Sequence, residues 1–142
     1  MKKVSIKLVK EAELDYGVDR LTSPADAARV LREYIGDSDR EMFVVICLDI
    51  KNHLNSINTV SIGTLTSSLC HPREIFKAAI LSNAAAIIIG HNHPSGIPDP
   101  SKDDIKITKK IDKAGSILGI DLLDHVIIGD PSYHSMKESS DY

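Results

Sequence analysis

Apolar and polar positions alternate at the start of the chain, where Val4, Ile6 and Leu8 are separated by polar residues, and this predicts an opening strand. A turn-rich stretch follows through Gly17. Ser23, Pro24 and Asp26 then have the order of a helix start: an N-cap serine, a proline in the first helical position and a carboxylate closing a capping box. Ala27, Val30, Leu31, Tyr34 and Ile35 continue at helical spacing, and Gly36 ends the helix. Met42 to Ile50 is apolar and β-branched, the composition of a buried strand. Lys51-Asn52-His53 predicts a turn, and Ile57 to Leu65 a second, antiparallel strand. Pro72 opens another helix with Ile75, Phe76, Ala79 and Ile80 on one face, and Asn83 caps its end. Ala84 to Ile89 is short and uniformly apolar, as expected of a central strand covered on both faces. Gly90 to Pro100 holds Gly90, Gly96, Pro94, Pro98 and Pro100, so it predicts a rigid loop. A helix from Ser101 to about Leu118 follows, with Ile105, Thr108, Ile111 and Ala114 or Gly115 inward. Leu122 to Ile128 predicts a further strand, and Tyr133 begins a short last one.

Strands and helices alternate after an early hairpin, so the pattern predicts an α/β sandwich with a mixed sheet. The 142 residues fit one domain with one core, residues 1–21 forming an N-terminal strand and turn extension. Hydrophobic residues make up 42% and charged residues 26%, ordinary for a globular chain. No apolar run approaches the ~20 residues needed to span a bilayer, and no apolar stretch follows the basic N-terminus as a signal peptide would require. The expectation is therefore a cytoplasmic protein without a membrane partner. Cys47 and Cys70 form no C-x-x-C pair and are expected to be reduced, partly buried thiols. The net charge of −3 argues against a broad basic surface for nucleic acid.

Chemistry concentrates in Gly90-His91-Asn92-His93-Pro94-Ser95-Gly96 and its continuation Ser101-Lys102-Asp103-Asp104. If His91 and His93 extend the preceding strand, their side chains share a side and can converge on one ion. Neutral imidazole suits zinc. Ser101 and Asp104 are three apart at a helix start and share a face, so a loop stiffened by Pro94 and Pro98 can bring Asp104 back to the histidines. Three protein ligands would leave one coordination position for water, whose pKa zinc lowers towards ~7. Blander readings stand beside this one. A His-x-His pair alone is more often two polar surface residues. Ser101-x-x-Asp104 is a capping box in its own right, and a carboxylate on a metal is not free to reach back to the N-cap amide. Asn92 can simply shape a turn, and Ser95-Gly96 a tight bend.

His91-x-His93, seven residues, Ser101, two residues and Asp104 is the spacing of the JAMM motif of JAB/MPN metalloenzymes. Around it, His91-Asn92-His93-Pro94-Ser95-Gly96, Pro100-Ser101, His71-Pro72-Arg73-Glu74, Ala84-Ala85-Ala86-Ile87 and Leu123-Asp124-His125 resemble the RadC-like bacterial branch, over about residues 22–135. The resemblance implies a cytidine-deaminase-like three-layer α/β/α sandwich and a zinc-dependent hydrolase with one Zn2+ ion on His91, His93 and Asp104. It also implies an upstream glutamate at a strand start as general base. Glu41 matches that position, although nothing local would have singled it out; its blander role is a strand-end charge. Glu74 is a weaker rival, better read as a first-turn helix carboxylate. Ser101 would help to hold the oxyanion. Asp124-His125 lies outside the motif and is expected to be structural or to orient a metal-bound histidine. His53, His71 and His134 read as ordinary surface or turn residues. The resemblance leaves three functions in play: a metallopeptidase or isopeptidase acting on an unidentified protein or peptide, a DNA-associated repair accessory, and a silent scaffold. Lys102, Lys106, Lys109, Lys110 and Lys113 carry the second, diluted by Asp103, Asp104 and Asp112. The helix-hairpin-helix region of longer RadC-like proteins is not found in this sequence.

Overall fold

A computed structural model describes residues 1–63 and 70–142. Its elements are α1 (Pro24–Ile35), β1 (Met42–Leu48), β2 (Leu54–Ile62), α2 (Pro72–Leu81), β3 (Ala86–Asn92), α3 (Lys102–Leu118), β4 (Asp121–Ile128) and β5 (Tyr133–Ser135). The five strands form one mixed sheet in the order β2-β1-β3-β4-β5. Among the described residues only the β3–β4 pair is parallel, with α3 as its crossover.

The sheet is covered on both faces, which makes the three-layer α/β/α sandwich. Phe43, Val45 and Cys47 of β1 and Ile87 and Ile89 of β3 pack against α2 and α3 through Ile75, Phe76, Ala79, Ile107 and Ile111. The alternate residues Val44, Ile46, Leu48, Ala86 and Ile88 pack against α1 through Ala27, Val30, Leu31 and Ile35. The period of two along a strand thus divides one apolar run between two cores. Cys47 and Cys70 are unpaired, buried thiols. Among the described residues no helix is long and apolar enough to cross a membrane.

The N-cap at Ser23 forms the full capping box with Asp26, and Gly36 closes α1 with φ 59°. Other expectations need correction. No strand forms over Val4, Ile6 and Leu8, which are exposed and without regular structure. An alternating pattern yields a strand only where a neighbour completes its ladder, and the chain first meets the sheet at the isolated Arg20–His53 bridge. β1 stops at Leu48, because Asp49 turns the chain by accepting from Lys51 N and His53 N at 2.7 and 2.9 Å. The second strand starts at Leu54 rather than Ile57; its expected end at Leu65 lies outside the described residues. Ser82, not Asn83, is the C-cap of α2, and Asn83 follows with φ 53°. Ile80 is exposed, because it lies roughly 90° round the helix from the Ile75–Phe76–Ala79 stripe. In α3 the buried stripe runs through Asp104, Ile107, Thr108, Ile111 and Gly115; Ile105 sits to its side and Ala114 is only partly buried. Gly90, His91 and Asn92 belong to β3, so the irregular loop begins at His93.

Candidate metal centre

The alternation that sends Ile87 and Ile89 towards α3 sends His91 the same way. Gly90 points to the other face, where a Cβ would lie 2.4 Å from Leu31 Cδ1, so α1 packs directly on the strand behind the site. His91 is fully buried and stacks on Phe43, ring centroids 6.0 Å apart. His93 stands just beyond the strand, with its amide donating to Ile128 O at 2.9 Å. Its ring Nδ1 lies 2.8 Å from Ile97 O. A carbonyl only accepts, so Nδ1 carries the hydrogen and Nε2 presents a lone pair. Gly96, with φ 85°, supplies the tight bend, and its amide donates to His93 O at 2.9 Å.

Asp104 enters from the first turn of α3. Its Oδ1 lies 3.3 Å from His91 Nε2 and its Oδ2 3.4 Å from His93 Nε2, while the two Nε2 atoms are 2.9 Å apart. Oδ2 also accepts from Ser101 N at 2.7 Å, and Asp104 N donates to Ser101 Oγ at 3.1 Å. The conflict expected between capping and metal ligation is therefore eased: Oδ2 reaches the cap while lying beside His93, and Oδ1, which takes no part in the cap, faces His91. One ligand atom from each of His91, His93 and Asp104 falls within 4.8 Å of the others. Zinc bonds of about 2.0–2.1 Å in a tetrahedron put neighbouring donors about 3.3–3.4 Å apart; His91 Nε2 and Asp104 Oδ1 stand at 3.3 Å, while the two imidazole nitrogens are closer, at 2.9 Å. A buried carboxylate beside two imidazole nitrogens is a donor set that fits a divalent cation of this kind.

The electrostatics agree. Burial works against the charge of Asp104, but the adjacent imidazoles of His91 and His93 and the hydrogen bond from the Ser101 amide outweigh it and hold the carboxyl well below the usual range. The Asp104 hydrogen bond raises the pKa of His93 against its own burial. Positive charge is favoured here.

Glu41 immediately precedes β1 and lines, with His93, Pro94, Ser95, Ser101, Asp103 and Asp104, a pocket of about 340 Å³. Two contacts fix its backbone. Its carbonyl accepts from Gly63 N at 2.8 Å. The Asn92 side chain brackets it, accepting from Met42 N at 2.7 Å and donating to Arg40 O at 3.0 Å. Asn92 thus does more than shape a turn: lying between the two histidines, it spaces the glutamate from them. Only the strand register reveals this. Ser101 Oγ accepts from the helix, which leaves its hydrogen to donate into the pocket. Glu74 is outside the pocket and pairs with Lys77 at 2.8 Å on the exposed side of α2.

Asp124 and His125 separate in role. Asp124 accepts from Ser135 Oγ, His125 N and Lys137 N at 2.6, 2.7 and 3.0 Å and ties β4 to the chain after β5. His125 reaches the site, its Nε2 2.8 Å from His91 Nδ1. Of the remaining histidines, His71 caps α2, His53 pairs with Asp49 and His134 with Asp141.

The loop that carries His93 is buttressed from behind. Asp130 N donates to Gly96 O at 2.9 Å, and Arg32 of α1 donates to Gly129 O, Pro131 O and Ser132 O at 3.1, 2.7 and 2.9 Å. A Cβ on Gly129 would lie 2.4 Å from Gly96 O, a backbone atom that cannot step aside alone. Gly129→Ala is therefore expected to destabilise the fold by about 1–3 kcal/mol and to weaken zinc binding by shifting the loop. Thermal melts and zinc titration check this; unchanged melting and affinity would contradict it.

His125 also sets a pH dependence. Burial above all, with nearby His91 adding to it, pushes its pKa well below the usual value, so the folded chain holds it neutral. Unfolded histidine takes up a proton near pH ~6.5, so this residue lowers stability as pH falls below that point, with a limiting slope of about 1.4 kcal/mol per pH unit. His93 acts with the opposite sign: its raised pKa gives stability fully present below the unfolded value and lost as pH rises through the folded one. Asp104 contributes stability present above the unfolded carboxylate value and lost as pH falls through its depressed one. In the metal-free protein, His125→Gln is expected to flatten the stability profile between about pH 7 and pH 5, measured by urea unfolding at each pH. Parallel profiles for the two proteins would contradict the assignment.

An α/β/α sandwich whose central strand delivers two histidines to a helix-borne aspartate is the JAB/MPN class of fold, with a candidate metal site at a strand end. The chain belongs to the RadC-like JAB domain family, whose family model matches residues 21–141. It is similar to the UPF0758 protein of Rubrobacter xylanophilus, 51% identical over 118 residues, which cover 83% of this chain and 52% of that protein. The UPF0758 protein of Desulfitobacterium hafniense is 52% identical over 118 residues, 83% of this chain and 52% of that protein. The UPF0758 protein of Methanosarcina barkeri is 44% identical over 119 residues, 84% of this chain and 52% of that protein. The chain spans about half the length of the curated relatives it matches.

Proposed function

We propose that this chain is a zinc-dependent hydrolase of peptide or isopeptide bonds. The observation that carries the reading is the convergence of His91, His93 and Asp104, with Glu41 and Ser101 lining the same pocket. The three ligands would hold one zinc ion, which supplies Lewis acidity and a lowered pKa for water at the open position. Glu41 takes the proton of the attacking water and passes it to the leaving amine, so that one carboxylate serves as base and then acid. Ser101 donates to the oxygen that gains negative charge, a contact worth about 2.7–4 kcal/mol when preformed. Asn92 keeps Glu41 at its distance from both.

The test is a peptide and isopeptide mixture incubated with zinc-loaded protein in 18O-water. Chelator-sensitive appearance of 18O in new carboxyl termini is the expected result. A purified, folded protein that takes up no zinc, or cleaves equally with chelator present, overturns the reading. The DNA-associated alternative draws on Lys102, Lys106, Lys109, Lys110 and Lys113, all exposed on α3 but interleaved with exposed Asp103 and partly buried Asp112. A steep loss of DNA affinity with salt would support it.

A further inference from the structure

His125 and Thr108 lie outside the ligand set, and both are fully buried. They form a chain of contacts with a single consistent placement of hydrogens. Thr108 Oγ1 lies 2.6 Å from the backbone carbonyl of Asp104, which only accepts, and 3.6 Å from Met136 Sδ, a much weaker acceptor, so the threonine hydrogen points to the carbonyl. Thr108 Oγ1 also lies 2.6 Å from His125 Nδ1. Having spent its hydrogen, the hydroxyl can only accept, so His125 carries a hydrogen on Nδ1. In the neutral ring, Nε2 is then the acceptor, and it lies 2.8 Å from His91 Nδ1. His91 must donate from Nδ1, which leaves its Nε2 lone pair facing Asp104 Oδ1 at 3.3 Å and His93.

The chain closes on itself. It begins at the carbonyl of Asp104 and returns through Thr108, His125 and His91 to the carboxylate of Asp104. One ring of contacts thereby joins α3, β4 and β3. His93 reaches the same tautomer by a separate route, through Ile97 O.

We propose that His125, oriented by Thr108, is a positioning residue that fixes the tautomer and ring angle of His91 and so sets the metal affinity of the cluster. This rests on the metal-centre reading above. It also explains why a histidine in the core faces another histidine rather than a carboxylate: a neutral acceptor orients the ligand without adding a second buried charge.

The experiment uses zinc alone, titrated into wild type, His125→Leu, His125→Gln and Thr108→Val against a chromophoric chelator. Thermal melts of each metal-free protein run alongside. His125→Leu, which offers His91 no acceptor, is expected to bind zinc about 10- to 100-fold more weakly. His125→Gln keeps an oxygen towards His91 and an N–H towards Thr108, and is expected to restore most of that loss. Thr108→Val is expected to fall between. Long-range 1H–15N spectra of the metal-free wild type should show His91 protonated on Nδ1, and the Leu variant should lose that signature. Equal zinc affinity in a folded His125→Leu protein, or a wild-type His91 protonated on Nε2, overturns the inference. Should wild type bind no zinc, the metal-centre reading fails by itself, and the His91 tautomer still decides the relay. Should His125→Leu fail to fold, Thr108→Val and the wild-type spectra decide it.

Discussion

Glu41→Gln is expected to leave zinc binding intact and to lower peptide hydrolysis by about 10²- to 10⁴-fold, the range for a removed general acid–base. Glutamine keeps the size and hydrogen-bonding reach of the side chain but cannot take a proton from water. The backbone contacts that hold the position, Gly63 N to Glu41 O and Asn92 to Met42 N and Arg40 O, do not involve the carboxylate. A folded variant is therefore expected, with the loss confined to turnover. Metal analysis and initial rates on any peptide found to be cleaved measure the two quantities separately. Undiminished turnover in the glutamine variant would remove Glu41 from the scheme. Asn92→Ala should reproduce part of the rate loss, because it frees the strand start that Glu41 precedes.

His93→Ala is expected to abolish stoichiometric zinc. Orienting partners of metal ligands typically cost about 10- to 100-fold in affinity when removed, and deletion of a ligand itself should exceed that. Of the two histidines, His93 gives the cleaner test. It lies in the loop beyond β3 and is partly exposed, whereas His91 is packed beneath Phe43 and its loss would disturb the core. Alanine at position 93 keeps the backbone donation to Ile128 O. Elemental analysis of the purified variant, with wild type prepared alongside, reads the outcome. Full zinc occupancy in His93→Ala would break the ligand assignment.

What was legible in the sequence was what local chemistry decides. Ser23, Pro24 and Asp26 announce α1 because caps are built within four residues, and the same logic marks Ser101 and Asp104. The apolar run before His91 marks a strand buried on both faces. The spacing of His91, His93 and Asp104 could be read because strand and helix periodicities put their side chains on known sides. What required the folded chain was long-range. Glu41 comes to the pocket through the antiparallel pairing of β1 with β3, which no window around residue 41 contains. The Asn92 bracket and the Thr108–His125–His91 chain also depend on contacts between elements distant in sequence. On α3, Thr108, Ile111 and Gly115 lie on the buried stripe as the spacing predicts, but Ile105 sits to its side, because the stripe begins at a buried carboxylate, Asp104, that hydrophobic counting passes over. The alternating start of the chain misled for the opposite reason, since alternation describes a strand's faces and says nothing about whether a neighbour exists.

The two oxygens of Asp104 have a thermodynamic consequence. One oxygen closes the first turn of α3 and lies beside His93, and the other faces His91, so the start of the helix and the donor set share a single functional group. Any cation captured there is linked to the order of that turn. Loading then raises global stability by mass action, and loss of the ion loosens the segment that carries Thr108 and Ile111 into the core. An ion held there would make its own occupancy and the order of the α3 start two readings of one equilibrium.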